Sequence, residues 1–239
     1  MKIDTENKNH GTVVSVDGPA ASGKSTVSRG IARELKFAYC DSGSLYRAVT
    51  WKALEEGINL KDEKAVVEMI EKTDWEFRFE ENVMLFKMDG IDPGDKIRSV
   101  TVGDNVSTIA QLPLIRNFVV ARLRGMREFG SLVMEGRDIG SIVFPDADYK
   151  YYLNATAEER ARRRHAELKN AGDDNNINRV YESLKRRDTT DSTRKTAPLL
   201  IPKDAVVLDS TSMDIQEVVQ FIVHDIRMKI ESMNPHTPV

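Results

Sequence analysis

The sequence contains one cysteine and no long apolar run, and each of these absences excludes a class of protein. Cys40 is the only cysteine among 239 residues, so an intrachain disulfide and a cysteine-cluster metal site are excluded. A reducing cytoplasm is therefore the expected location. The first residues lack the apolar core of a signal peptide, and no later run approaches the length that crosses a bilayer. We expect no membrane partner.

The chain also lacks a surplus of positive charge. Lysine and arginine total 35 against 38 acidic residues, a net charge of −3, so nothing global favours binding to nucleic acid. The cations are nevertheless clustered. One group lies at 160–164, and a second comprises Lys185, Arg186, Arg187, Arg194 and Lys195. Such clusters indicate local handling of phosphate groups.

Residues 18–25 carry the strongest signal, because they fill every specified position of the phosphate-loop pattern GxxxxGK[ST]. An apolar run precedes them and an amphipathic stretch follows, which predicts a strand, a loop and a helix. Backbone N–H groups and the positive helix end then converge on a nucleotide polyphosphate. Lys24 supplies charge to the terminal phosphates, and Ser25 is the predicted Mg²⁺ ligand. The predicted ATP-binding residues are Gly18, Pro19, Ala20, Ala21, Ser22, Gly23, Lys24, Ser25 and Thr26.

Apolar strand patterns alternate with helical patterns along the rest of the chain. This alternation predicts an α/β fold with a mostly parallel sheet covered on both faces by helices. Two strand patterns near 75–98 predict a small antiparallel lobe inserted into the core. A helical hairpin at about 156–187, with a turn at 172–176, is predicted to form a lid, and Thr156 with Glu159 predicts the cap that opens its first helix. In the last predicted helix, Val218, Phe221, Ile222 and Ile226 share one face. Residues 12–232 form one domain in this interpretation, and 1–11 and 233–239 are loose ends.

Three further segments place polar side chains where strands or helices end. Residues 41–47 and 135–140 each follow a predicted strand, so both lie at the carboxyl edge of the sheet, where open α/β folds bind ligands. Residues 186–194 lie at a helix end. An arginine in such a place can grip a phosphate with two parallel hydrogen bonds. Taken singly, each segment is equally compatible with a common turn or a solvated charge run.

Together these segments resemble the bacterial cytidylate kinases, which belong to the nucleoside monophosphate kinase group of P-loop kinases. The resemblance extends from Val13 to Ile230. Its motifs are Asp17-Gly18-Pro19, Asp41-Ser42-Gly43-x-x-Tyr46-Arg47, Gly136-Arg137-Asp138-Ile139-Gly140, Phe144-Pro145-Asp146-Ala147, Glu158-Glu159-Arg160-Ala161-x-Arg163-Arg164, Arg187-Asp188-x-x-Asp191-x-x-Arg194, Ala197-Pro198-Leu199 and Leu208-Asp209-Ser210-Thr211. Independent turns and charge runs would rarely fall into this order.

The resemblance implies a CMP site between the core and the inserted lobe. The positions that match cytosine contacts are Ser42, Ser107, Arg116, Asp138 and Arg194. Arg187 and Asp191 match ribose contacts, and Arg47 and Arg137 match contacts to the α-phosphate. The chemistry agrees, because cytosine offers an amino donor that suits a carboxylate, whereas uracil offers an acceptor there.

The resemblance also implies the reaction, which is transfer of the γ-phosphoryl of ATP to CMP or dCMP in pyrimidine nucleotide metabolism. The implied catalytic residues are Lys24, Arg137, Arg187, Arg160 and Arg164, with Mg²⁺ as cofactor. The lid arginines would close onto the transferring phosphate, since no matching run of acids neutralises them. A monomer is expected. One departure is visible, because Glu135 stands where the family often has aspartate.

Two alternatives remain open at this stage. One is a P-loop kinase for a different small acceptor, such as AMP, UMP, dTMP or shikimate. The other is a nucleotide-dependent switch or binding module without acceptor kinase activity, although the sequence names no water-positioning residue for hydrolysis. An assay that compares CMP with water as acceptor separates the kinase from the switch.

Overall fold

The computed structural model describes residues 11–170 and 176–233, and it contains a seven-stranded sheet. The strand order is β3-β4-β2-β5-β1-β6-β7. The strands are β1 (Val13–Asp17), β2 (Ala38–Asp41), β3 (Trp75–Glu80), β4 (Val83–Met88), β5 (Leu132–Gly136), β6 (Tyr149–Asn154) and β7 (Val206–Asp209). Every neighbouring pair is parallel except β3 and β4. The predicted mostly parallel sheet is therefore confirmed.

Helices cover both faces of this sheet. They are α1 (Lys24–Leu35), α2 (Ser42–Glu55), α3 (Glu63–Lys72), α4 (Val100–Ile109), α5 (Pro113–Gly125), α6 (Ala157–Asn170), α7 (Ile177–Thr193) and α8 (Ile215–Met233). One apolar core lies between the sheet and α2 to α5, and a second lies between the sheet and α1 with α8. This is the three-layer arrangement that the sequence predicts. No helix in the described ranges is long and apolar enough to cross a membrane.

Parallel pairing around β1 brings the carboxyl ends of three strands to one edge of the sheet. Strand β5 lies on one side of β1 in a register that pairs Asp17 with Gly136, and β6 lies on the other side. Strand β2 pairs with the far side of β5, so that Asp41 lies beside Glu135. The loops after β1, β2 and β5 therefore leave the sheet at the same edge, which is where ligands bind in open α/β folds.

The predicted antiparallel strands form as expected, and they extend the main sheet. Strand β4 continues the sheet next to β2 through the pair Tyr39 and Val83. The aromatic side chains of Trp75, Phe77 and Phe86 pack against the core, where Trp75 contacts Ile70 of α3 and Phe118 of α5. The short helical turn Gly94–Arg98 and α4 follow the hairpin. That 75–98 acts as a separate nucleotide-binding lobe stays a prediction.

The lid segment is helical, and its second helix is longer than predicted. Helix α6 ends at Asn170, and α7 runs to Thr193 where the sequence pattern predicted an end near residue 187. The Glu159 amide donates to the Thr156 hydroxyl oxygen at 3.4 Å, which confirms the predicted cap at the start of α6. The predicted turn at 172–176 lies almost wholly outside the described residues. The predicted loose ends also lie outside them, except for Gly11 and the backbone of Met233.

Helix α8 buries a different stripe from the one that the sequence suggested. Val218, Ile222 and Ile226 are buried as predicted, whereas Phe221 is 45% exposed. The prediction that Phe221 shares the buried face is wrong. Val219 and Val223 occupy the buried positions instead, because the face that meets α1 is centred one residue further along the helix.

Neighbouring positions on α8 provide a matched test of this packing. Ile222→Ala should lower the free energy of unfolding by about 2–5 kcal/mol, because it leaves a cavity in a fully buried site. Phe221→Ala should change it by about 0.5 kcal/mol or less, because much of that side chain already contacts solvent. Urea unfolding of both variants checks the difference. Equal losses would show that Phe221 packs more tightly than its exposure indicates.

Candidate functional site

A cavity of about 460 Å³ opens at the carboxyl edge of the sheet. Its walls are the phosphate loop, the start of α2, the turn after β5, α4 and the end of α7. All of the residues predicted to bind the acceptor line it, namely Ser42, Arg47, Ser107, Arg116, Arg137, Asp138, Arg187, Asp191 and Arg194. The structure therefore brings together side chains that are spread over more than half of the sequence.

The phosphate loop wraps tightly between β1 and α1. Gly18 and Gly23 have φ angles of 152° and 90°, and a Cβ on Gly18 would lie 2.1 Å from the carbonyl oxygen of Leu153. Glycine is therefore required at position 18. The loop residues from 20 to 26 line the cavity, whereas Gly18 and Pro19 lie behind it. Those two residues shape the loop and do not face the cavity.

Lys24 is folded back onto its own loop. Its Nζ atom donates to the Pro19 carbonyl oxygen at 2.6 Å and to the Ser22 hydroxyl at 3.4 Å. Burial and, to a smaller extent, the guanidinium of Arg137 together lower the pKa of Lys24 to about 7. The amine thus carries less charge near neutral pH than an exposed lysine. An anion that enters the cavity would restore this charge.

Ser25 and Glu135 meet at the bottom of the cavity. The Ser25 hydroxyl donates to Glu135 Oε1 at 2.5 Å, and the Tyr39 hydroxyl lies 3.4 Å from the same oxygen. Burial raises the pKa of Glu135, and nearby Asp41 raises it further. Glu135, which is one methylene longer than the aspartate that the family often has, therefore still contacts the serine of the phosphate loop.

The turn after β5 presents Asp138 to two buried arginines. Arg116 donates to Asp138 Oδ2, and Arg194 Nη2 lies 3.7 Å from Oδ1. Burial raises the pKa of Asp138, while both guanidinium groups oppose that rise. This group combines one carboxylate acceptor with two planar donors, which is the combination that the edge of a cytosine base requires.

Arg137 and Arg187 lie on the phosphate side of this group. Arg137 Nε donates to Asp191 Oδ2 at 2.9 Å. Burial lowers the pKa of Arg187, and the like charge of Arg137 lowers it further. The two guanidinium groups repel each other, so an anion that contacts both would be strongly stabilised.

Arg47 approaches a carboxylate that the prediction of site residues omitted. Arg47 Nη2 donates to Asp41 Oδ2 at 2.6 Å, and Arg98 Nη2 lies 3.7 Å from the same oxygen. Asp41 also accepts the Ser44 amide and so caps α2. Arg98 follows the β-hairpin and lines the cavity. Its position after the inserted strands was the available signal for it.

Three arginines at the cavity each retain a buried nitrogen without a hydrogen-bond partner among the described residues. These atoms are Arg47 Nε, Arg187 Nε and Arg194 Nη2. Buried polar groups in native proteins are normally paired, so each unpaired donor calls for an explanation. An anionic ligand in the cavity would supply the missing acceptors.

The prediction that no acid neutralises the arginines of α6 is wrong. Arg160 forms an ion pair with Asp188 at 2.6 Å, Arg163 pairs with Glu159 at 2.8 Å, and Arg164 pairs with Glu167 at 3.0 Å. The sequence could not show the first of these pairs, because Asp188 comes from α7. Arg164 lines the cavity, whereas Arg160 is buried behind the phosphate loop and does not.

Asp17 is a buried acid that the predicted site did not include. Its Oδ1 and Oδ2 atoms accept the Ile139 and Gly140 amides at 2.8 and 2.7 Å. Burial raises the pKa of Asp17 to about 7, although both amide donors lower it. The side chain thus ties the end of β1 to the turn that carries Arg137 and Asp138. A lone acid that ends an apolar strand was the signal in the sequence.

Because burial raises the pKa of Asp17 from 3.8 to about 7, the folded chain holds a proton that the unfolded chain has lost in this pH range, and the free energy of unfolding should fall as pH rises from about 4 to about 7. Asp17→Asn has no proton to lose and should flatten this dependence. Urea unfolding between pH 4 and pH 8 measures it. Asp104→Asn, an isosteric change at an exposed position of α4, should keep the pH dependence of the parent. The same pH dependence in Asp17→Asn and in the parent would contradict the raised pKa of Asp17.

Comparisons with known proteins agree with this geometry. The family model described as cytidylate kinase matches residues 14–228. A cytidylate kinase from Caldanaerobacter subterraneus subsp. tengcongensis is 44% identical over 90% of this chain and 94% of its own length. A cytidylate kinase from Geobacillus kaustophilus is 42% identical over 91% and 97%. A gluconokinase structure from Sinorhizobium meliloti shares the fold, with 14% identity, a TM-score of 0.50 and coverage of 95% of this chain and 98% of that one.

The phosphate loop at the edge of a parallel sheet, with helices on both faces, defines the P-loop kinase fold. Within that class, the match over most of the chain is to a single family. The chain belongs to the cytidylate kinase family.

Proposed function

We propose that this protein transfers the γ-phosphoryl of ATP to CMP, and to dCMP, to form the nucleoside diphosphate and ADP. The observation that carries the proposal is the cavity itself. Its lining contains the phosphate loop at one end and Asp138 with Arg116 and Arg194 at the other. It also contains arginines with buried nitrogens that have no hydrogen-bond partner among the described residues. One end suits a polyphosphate, and the other suits an aminopyrimidine. Cytoplasmic location and a monomeric state stay predictions from the sequence.

The proposed roles follow the positions of the side chains along the cavity. Asp138, Arg116 and Arg194 recognise the base, with Ser42 and Ser107 beside them. Asp191 accepts a ribose hydroxyl, and Arg187 lies between the ribose and the transferred group. Arg47 and Arg137 hold the acceptor phosphate. Lys24 and Arg164 neutralise charge on the donor phosphates. No strong base is required, because the acceptor phosphate is already an anion at neutral pH.

The oxygen atoms of Ser25 and Glu135 are suited to a magnesium ion. They lie 2.5 Å apart at the cavity, and hydroxyl and carboxylate oxygens are ligands that Mg²⁺ accepts together with phosphate oxygens and water. The described residues contain no group of three or more acidic, histidine or cysteine side chains that could hold a metal. Ser25 and Glu135 would therefore hold the ion jointly with the nucleotide, and the ion would neutralise charge on its phosphates.

A panel of acceptors tests the proposal. ADP formation from ATP is measured with CMP, dCMP, UMP, AMP and no acceptor, by coupling ADP to NADH oxidation. CMP and dCMP should give the highest kcat/KM values, with UMP well below both. A preference for AMP or UMP would favour the alternative kinase, and an equal rate without acceptor would favour the nucleotide-dependent switch.

Asp138→Asn should lower kcat/KM for CMP by about tenfold or more and narrow the preference for CMP over UMP, because the amide replaces one acceptor with a donor. The ratio of kcat/KM for the two substrates is the measurement. Arg47→Lys is the matched control, since both substrates carry the same phosphate and should lose equally. An unchanged ratio in Asp138→Asn would show that Asp138 does not recognise the base.

Binding of ATP at pH 8 should take up about one proton, because the phosphates restore the charge of Lys24, whose pKa of about 7 leaves it mostly neutral there. At pH 6 the amine is already charged, so ATP binding should cause no proton uptake by Lys24. Calorimetric titration in two buffers with different ionisation enthalpies measures the protons, and Lys24→Met should take up none at pH 8. Equal heats in both buffers at pH 8 would contradict the lowered pKa.

A further inference from the structure

The two helices of the predicted lid hold one residue of the phosphate loop, Ala20, between them by its backbone N–H and its backbone carbonyl. The Ala20 amide donates to Asp188 Oδ1 at 3.3 Å, and Arg160 Nη1 donates to the Ala20 carbonyl oxygen at 3.0 Å. Arg160 also donates to Asp188 Oδ2 at 2.6 Å. Arg160 belongs to α6 and Asp188 to α7, so three separate segments meet at this point. We call these three residues the loop clamp.

Apolar side chains surround the Arg160 end of the loop clamp. Arg160 is 7% exposed, and Ala161, Val180 and Leu184 pack against Ala20, whereas the Asp188 side chain is 23% exposed. Arg160 Nε donates in addition to the Ala155 carbonyl oxygen at 3.0 Å, which fixes the plane of the guanidinium. An ion pair with these extra bonds has one arrangement, and loss of Asp188 would leave the charge of the buried Arg160 unpaired.

We propose that Arg160 and Asp188 are positioning residues that hold the phosphate loop in its nucleotide-binding conformation. In this arrangement Arg160 does not touch the transferring phosphate. These bonds fix the peptide units on both sides of Ala20. The second of these units carries the Ala21 N–H, and Ala21 lies in the left-handed region with a φ of 58°, so its orientation determines where the next N–H groups point. Those N–H groups are the ones that cradle phosphate in such loops. Arg187 adjoins Asp188, so the loop clamp also sets the distance between Arg187 and the loop.

The inference rests on the proposed nucleotide site, and ADP binding tests it without any phosphoryl transfer. Calorimetry of ADP and, separately, of CMP is carried out on the full chain and on Arg160→Gln, Asp188→Asn and the double variant. Each single variant should weaken ADP binding about tenfold. The double variant should be no more than about twofold worse than either single, because both changes remove the same support. CMP binding should change by less than about threefold.

Arg162→Gln is the matched control, since Arg162 lies on the same helix and pairs with Glu159 at the surface. Its ADP affinity should equal that of the parent. If the glutamine or asparagine variants fail to fold, Arg160→Lys and Asp188→Glu carry the same test, because they keep the charge and misplace the bonds to Ala20. They should also weaken ADP binding, by a smaller factor.

Unchanged ADP binding in both single variants, or losses that simply add in the double variant, would overturn the loop clamp. A loss of kcat alone in Arg160→Gln, with ADP binding intact, would place Arg160 on the transferring phosphate as the resemblance implied. The proposed function fails in a different way. In that case the parent chain itself would not bind ADP, or it would bind ADP and not phosphorylate CMP.

Discussion

The pairing of β1 with β5 is the interaction on which the rest of the site depends. It is parallel and in a register that sets Asp17 beside Gly136, so the phosphate loop and the turn with Arg137 and Asp138 begin at the same height. Asp17 then reaches across to that turn and fixes it. A shift by one residue would move each side chain of β1 to the opposite face of the sheet and would carry Asp17 away from the turn that it fixes. The sheet thus sets the relative positions of the phosphate loop and of the turn after β5 without any ligand.

Three arginines of the cavity each contact a carboxylate, which offsets the repulsion among the positive charges. Asp41 contacts Arg47, Asp138 contacts Arg116, and Asp191 contacts Arg137. Without these acids the site would hold several like charges in a medium of low dielectric constant, which is costly. The acids have a second consequence. A phosphate that binds Arg47 or Arg137 competes with an existing carboxylate, so its net gain is smaller than the bare count of arginines suggests.

The sequence could predict the parts of the site that local motifs encode. The phosphate loop, the segment after β2 and the turn after β5 each combine a strand end with characteristic residues. All of the residues predicted to bind the acceptor substrate line one cavity. The contacts of Arg160 could not be predicted, because they depend on Asp188 in another helix and on the carbonyl oxygen of Ala20. Phe221 was misplaced for a similar reason. The helical period alone does not say which stripe meets α1.

The positions of Arg160 and Arg164 divide α6 into two parts with different surroundings. Arg160 lies next to the phosphate loop and is buried in an ion pair, whereas Arg164, one turn further along, borders the cavity with an exposed partner. An exposed pair costs little to break, and a buried one costs much more. If the segment closes on nucleotide, the root at Arg160 therefore stays in place. In that case we expect rearrangement from Arg164 onward, where the charge of Arg164 would approach the phosphates.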